Sequence, residues 1–205
     1  MSNMFNLIRK DIVLQKKMLM IMLPVIVVYL ILGTSSIWVG IIISIVMIID
    51  SFSSDEKTSI NLLLNSLPYT RKEIVSSKYI GAIFLTCVVV FIIFIGNLLI
   101  HQEITAWKEL VFIVSVVMVF ISLIFPFSYK FKSQYLLFAS IVLLAIYLVV
   151  ITFFIPNLFD KIREFVGTLL TLQNAQFYLL LAFLVIALYA WSWLLSIRIY
   201  RKKVF

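Results

Sequence analysis

The chain is laid out as long apolar runs separated by short charged breaks. Mostly apolar, nearly charge-free stretches occupy residues 18–33, 37–49, 79–100, 110–125, 136–155 and 177–197. Five apolar stretches reach or approach the ~20 residues a helix needs to cross a bilayer. Period-two alternation is absent, and hydrocarbon offers no water to unpaired backbone groups, so each run is expected to be a helix. The predicted fold is an all-α integral membrane protein with six transmembrane helices, in one domain spanning 1–205. The first two runs form one uncharged tract, 18–49, too long for a single ordinary span. Gly33-Thr34-Ser35-Ser36 offers the tight turn that would divide it.

Composition agrees. Of 205 residues, 64% are hydrophobic and 13% charged, about half the charged fraction of a soluble domain, roughly 25%. Lys16 and Lys17 precede a long apolar stretch without a small-residue cleavage site, so no cleavable signal is expected. The single cysteine, Cys87, lies inside an apolar run and is expected to pack there; it excludes a disulfide framework.

Charge then sets orientation, because basic residues collect on the cytosolic side. Six spans place 14 of the 17 Lys and Arg residues inside and leave only Lys108, Lys161 and Arg163 outside, whereas a single first span divides them 7 to 10. Both termini are therefore expected in the cytosol of a multi-pass bacterial membrane protein. The net charge of +8 is accounted for by residues flanking spans, where they meet anionic headgroups, with no need for nucleic acid. Trp38 and Trp107 at outer span ends, and Tyr79 and Tyr129 at inner ends, are read as interface anchors. Trp191 and Trp193 are read as packing residues.

The segment 50–78 is the polar exception. Ser53-Ser54-Asp55-Glu56 fits a capping box, with Asp55 and Glu56 suited to a helix start. A helix would run from there through Leu64 and stop near Pro68, because Leu67 before the proline is biased away from helical geometry. Thr70-Arg71-Lys72-Glu73 is a second box, opening a helix that continues into the third span. The break exposes Leu67 and Tyr69 beside Arg71 and Lys72. An apolar pair next to cations suits a groove on a cytosolic partner; it also suits lipid phosphates. Two further amphipathic segments are expected: an N-terminal interfacial helix within 1–17, with Phe5, Ile8 and Ile12 on one face, and an outer segment, 156–176. In the latter, Asn157 would cap a helix carrying Leu158, Ile162, Phe165, Val166 and Leu169 on its apolar side.

The proposed span cores contain no Asp, Glu, Lys, Arg or His. Ion-coupled carriers need such groups, so secondary transport is disfavoured. The mild polarity present, at Ser44, Thr86, Asn97, Ser115, Ser122, Ser140, Thr152 and Ser192, suits an apolar or amphipathic cargo or plain helix–helix hydrogen bonding. His101 and Glu103 form an H-x-E, but no second histidine exists to complete a zinc site. No glycine precedes a lysine as a P-loop requires. The chain is therefore not expected to be an enzyme or to hold a cofactor. If ATP powers it, another subunit binds the nucleotide.

The run D-E-K-T-S-I-N-L-L-L-N-S-L-P-Y-T-R-K-E-I-V-S-S-K-Y-I resembles the signature of type-2 ABC exporter permeases. There, a glutamate-lysine start and a Leu-rich helix lead to S-L-P-x-[ST]-R-x-E-[IL]-x-x-[SG]-K before the third span. Ser66, Leu67, Pro68, Thr70, Arg71, Glu73, Ile74, Ser77 and Lys78 match that element. The small six-span type is similar to permease subunits of phenol-soluble modulin exporters. The resemblance implies a permease that pairs with a second copy or a paralogue and with separate ATPase subunits holding ATP and Mg²⁺. It implies that the 50–78 loop couples the ATPase to the spans through Asp55, Glu56, Leu67, Pro68, Tyr69, Thr70, Arg71, Lys72 and Glu73, and that the cargo is an amphipathic or apolar substrate such as cytolytic or antimicrobial peptides. The competing reading is a non-transporting membrane protein, an immunity factor or sensor scaffold, binding a cytosolic partner through the same loop.

Overall fold

The described apolar runs fold as helices. The computed structural model describes residues 2–33, 35–57, 69–102, 105–131, 158–171 and 175–202. They form α1 (Ser2–Ile31), α2 (Ser36–Lys57), α3 (Arg71–Ile100), α4 (Trp107–Lys130), α5 (Leu158–Thr171) and α6 (Ala175–Lys202). No strand occurs among the described residues. Four helices are long and apolar enough to cross a membrane, over Leu7–Ile31, Arg71–Ile100, Trp107–Lys130 and Tyr178–Lys202. The apolar part of α2, Ser36–Ser51, rises only about 24 Å against a core of about 30 Å. The run 136–155, expected as a fifth span, lies outside the described residues.

Two expected boundaries move. The interfacial helix and the first span are one continuous helix, α1, which carries Pro24 in its interior. Its buried stripe is Leu7, Asp11, Gln15, Ile26 and Leu30, and Ile12 is exposed. α2 likewise runs unbroken through Ser53 and Glu56 to Lys57. Ser53 therefore caps nothing, because the chain arrives there already helical from its apolar half.

The helix ends explain themselves. Between α1 and α2, Gly33 takes φ +69°, which glycine adopts without steric cost, and its N–H donates to Leu30 O at 3.0 Å. At the same end, Asn97 of α3 donates to Ser36 Oγ (2.7 Å) and Thr105 Oγ1 (2.9 Å), and the His101 ring bonds Leu30 O at 2.9 Å. One knot of side chains thus fastens the α1–α2 turn to the α3–α4 turn. The lone histidine is structural.

Two apolar clusters fill the bundle. One gathers Ile26 and Leu30 of α1, Ile43 and Met47 of α2, and Val89 and Ile93 of α3. The other joins α2, α3, α4 and α6 around Tyr79, Ile113, Val117, Ile121 and Phe125. Gly40 lets α2 approach: a Cβ there would lie 2.9 Å from Ile113 Cδ1 and 3.0 Å from Ile93 Cδ1.

Several anchors prove to be core, and some core residues prove to be surface. Tyr79 is fully buried and Tyr129 nearly so, so both rings pack inside the bundle. Tyr79 packs edge-on to Phe125 and Tyr189, with centroids 4.8 and 5.2 Å away, and stacks on Trp193 at 5.8 Å. Trp191, read as packing, is 72% exposed, and Cys87 is exposed as well. Trp107 is exposed. On α5, Ile162, Val166 and Leu169 are half-buried, whereas Phe165 is exposed.

Candidate coupling site at the start of α3

Thr70 opens α3 as its N-cap. Its Oγ1 accepts from Glu73 N–H, while the Glu73 carboxylate accepts from Thr70 N–H at 2.8 Å, a complete capping box. Thr70 Oγ1 also donates to the same carboxylate at 2.8 Å. Glu73 therefore spends its charge on its own helix start, where exposed amides favour an anion.

The next residue along reaches across the molecule. Arg71 Nη1 donates to Tyr200 O (3.3 Å) and Arg201 O (2.7 Å). These carbonyls close α6, and the last four carbonyls of any helix lack partners within it. One cation thus satisfies two of them and complements the negative end of the α6 dipole. Tyr69, just before the cap, is half-buried and packs against the larger core cluster, so it is less exposed than the sequence suggested. Lys72 is exposed.

Two turns further, Lys78 is buried. Its Nζ donates to Asp11 Oδ1 of α1 at 3.1 Å and to Ser51 of α2, Oγ at 3.0 Å and O at 3.4 Å. Asp11 also pairs with Lys10 at 3.1 Å. A buried ion pair offsets its desolvation only when the remaining donors are also satisfied; Ser51 contributes those acceptors. Beside it, Gln15 Nε2 donates to Met47 O at 3.1 Å, binding α1 to α2. The sequence reading missed Asp11 and Gln15. Their signal was spacing: Leu7, Asp11 and Gln15 recur every four residues, in line with the apolar stripe above them.

α3 is then stitched to α6 and α4. Trp193 Nε1 donates to Ser76 Oγ at 3.1 Å, and Tyr189 Oη donates to Tyr79 O at 2.8 Å. Tyr79 Oη lies 2.8 Å from both Ser192 Oγ and Ser196 Oγ, and Ser192 Oγ donates to Ser122 O at 2.7 Å. The hydrogens can be placed by elimination. Ser192 has one hydrogen and gives it to Ser122 O; Tyr79 must then donate to Ser192, and Ser196 to Tyr79. The terminal acceptor is special, because Pro126 lies inside α4 and lacks the N–H that would bond the carbonyl four residues back. That carbonyl belongs to Ser122.

Other span polarity turns inward on its own helix: Thr86, Ser115 and Ser122 donate to carbonyls four residues back. Ser44 Oγ and Gln15 Oε1 are buried without a partner. Of the remaining expected coupling residues, Leu67 and Pro68 lie outside the described residues, and Asp55 and Glu56 are described only as backbone in the last turn of α2. Among the described residues no three His, Cys, Asp or Glu side chains gather as a metal set would require.

The arrangement is a network of hydrogen bonds and ion pairs between helices. It makes the first three turns of α3 a junction, bonded to α1, α2 and α6, immediately after the 58–68 segment. Against known proteins, the family model described as ABC-2 family transporter protein matches residues 6–201. No curated protein and no solved structure gives a significant match.

Proposed function

Since the chain belongs to the ABC-2 family of transporter proteins, a family of ABC-transporter membrane permeases, we propose that it is the membrane half of an exporter driven by a separate ATPase docking between α2 and α3. The observation that carries this reading is the junction at the start of α3. A push delivered to the segment after α2 meets Arg71 on α6, then Lys78 on Asp11 and Ser51. The load is shared by four helices rather than lost in a pliant loop.

In this reading the chain has six spans, the fifth at 136–155 and the shortest formed by α2, with both termini cytosolic in a bacterial cell membrane. Asp55, Glu56, Leu67, Pro68, Tyr69 and Lys72 meet the ATPase. Thr70, Arg71 and Glu73 transmit its movement. ATP and Mg²⁺ stay on that subunit, and a second permease copy or paralogue completes the pathway. The cargo is amphipathic or apolar, peptides of the cytolytic or antimicrobial type included. A groove of about 600 Å³ between α1, α2 and α5 supports such a cargo: Met22, Tyr29, Trp38 and Ile43 line it, and Asp160 and Arg163 supply its only charges among the described residues.

The test is co-purification and coupling. The permease, isolated in mild detergent with its ATPase and reconstituted, is expected to stimulate ATP hydrolysis when an amphipathic helical peptide is added. Arg71→Ala is expected to lower that stimulation at least severalfold while membrane insertion stays normal. Wild-type stimulation in Arg71→Ala, or a permease that never brings an ATPase with it, would overturn the reading.

A further inference from the structure

One face of α6 changes character along its length. Trp191, Leu194 and Leu195 are exposed at 72%, 69% and 39%. One and two turns onward, at the same helical spacing, the exposed residues are Arg198, Arg201 and Lys202. Lys72 of α3 closes the side, and together they line a groove of about 600 Å³ that has no acidic residue among those described. These cations form no ion pair within the described residues. The apolar and basic halves are contiguous.

We propose that this groove binds one anionic phospholipid, its phosphate held by Arg198, Arg201 and Lys202 and an acyl chain laid along Leu194 and Trp191. Charge complementarity requires an anion, and depth decides which one. Trp191 stands ten residues from Arg201, about 15 Å along the helix, which is roughly half the hydrocarbon thickness. An acidic soluble protein could meet the cations but not reach that depth. A second copy of this chain, face to face, would set cations against cations. A phospholipid has its charge and its chains in the required order, and basic pockets at span ends bind such headgroups. The site depends only on the chain spanning a membrane, not on the transported cargo. It also abuts the Arg71 bonds to Tyr200 O and Arg201 O, so an occupying lipid would brace the closing turn of α6.

The exposed indole is the reporter. The protein is reconstituted in phosphatidylcholine vesicles with a minority of either phosphatidylglycerol or phosphatidylcholine carrying brominated chains, and Trp fluorescence is read. Trp191→Phe supplies the background from the other tryptophans. Brominated phosphatidylglycerol is expected to quench Trp191 well beyond its mole fraction, and brominated phosphatidylcholine only in proportion to it. A cation beside an anionic headgroup contributes about fivefold in affinity, so Arg198→Gln with Arg201→Gln is expected to weaken the preference about 25-fold, whereas Lys at both positions keeps it. Equal quenching by the two lipids in the wild type would overturn the proposal, and that is also the result if an acidic protein is the true occupant. Unchanged preference in the folded double Gln variant would overturn it too.

Discussion

At the scale of single residues, the largest energies reside in groups that hydrophobicity does not register. Removing one partner of a buried ion pair leaves the other uncompensated, at a cost of about 3–5 kcal/mol. Asp11→Ala, which takes the carboxylate from Lys78, is expected to lose that much on unfolding in mild detergent, and Lys78→Ala, which leaves Asp11 paired with Lys10, less. Lys78→Met combined with Asp11→Leu is expected to recover most of it, because the desolvation penalty vanishes with both charges. Tyr79→Phe removes one of the three hydroxyls in the chain that ends at Ser122 O and is expected to cost about 1 kcal/mol. Ser192→Ala strands Ser122 O beside Pro126 as well, and is expected to cost more, about 1–3 kcal/mol. The same unfolding measurement ranks the two, and the reverse order would refute the hydrogen assignment.

At the scale of helices, Gly40 tests the packing of α2 on α3 and α4. Gly40→Ala gains about 1 kcal/mol of helix propensity against close contacts with Ile113 Cδ1 (2.9 Å), Ile93 Cδ1 (3.0 Å) and Ile113 Cγ2 (3.2 Å), so near-neutral stability is expected. Gly40→Leu is expected to cost about 1–3 kcal/mol by overpacking, read from the melting temperature in detergent. The apolar centres of α3, α4 and α6 were legible in the sequence because long uncharged runs leave no other solution in lipid. The Thr70 box was legible because the chain turns there. The Ser53 box was misleading: its residues fit the pattern, but a cap forms only where a helix begins, and α2 had begun at Ser36. α1 was only partly legible, for a related reason. Its apolar residues were sorted by periodicity alone, whereas its orientation is fixed by two polar residues, Asp11 and Gln15, whose partners sit on other helices 67 and 32 residues away. Periodicity within one segment carries no information about such partners.

At the scale of the molecule, the chain is a multi-pass helical membrane permease of the ABC-2 family. The six-span reading makes a labelling prediction. In a Cys87→Ser background, single cysteines placed at Ser2 and Lys202 are expected to react with a membrane-impermeant maleimide only after the cytosolic side is opened, and a cysteine at Lys108 before it. Termini that label from opposite sides would defeat the six-span arrangement. The mixture of outcomes at the proposed ATPase end is instructive here. The sequence marked 69–73 as a surface, yet Tyr69 is half-buried and Arg71 and Glu73 are already bonded to their own chain. Sequence motifs show that residues belong together; they do not separate those that face a partner from those that hold the facing residues in place.

The proline in α4 bears on biosynthesis. Ser122 O gets its hydrogen bond from Ser192, on α6, which follows it in chain order. Until α6 leaves the ribosome, α4 stands in lipid with a gap in its backbone ladder that no water can fill. Arg71 waits likewise for the end of α6. The gap in α4 is thus sealed by α6, and a nascent chain stopped before residue 175 would carry an open polar wound in the membrane, a mark by which quality control tells such copies from folded ones.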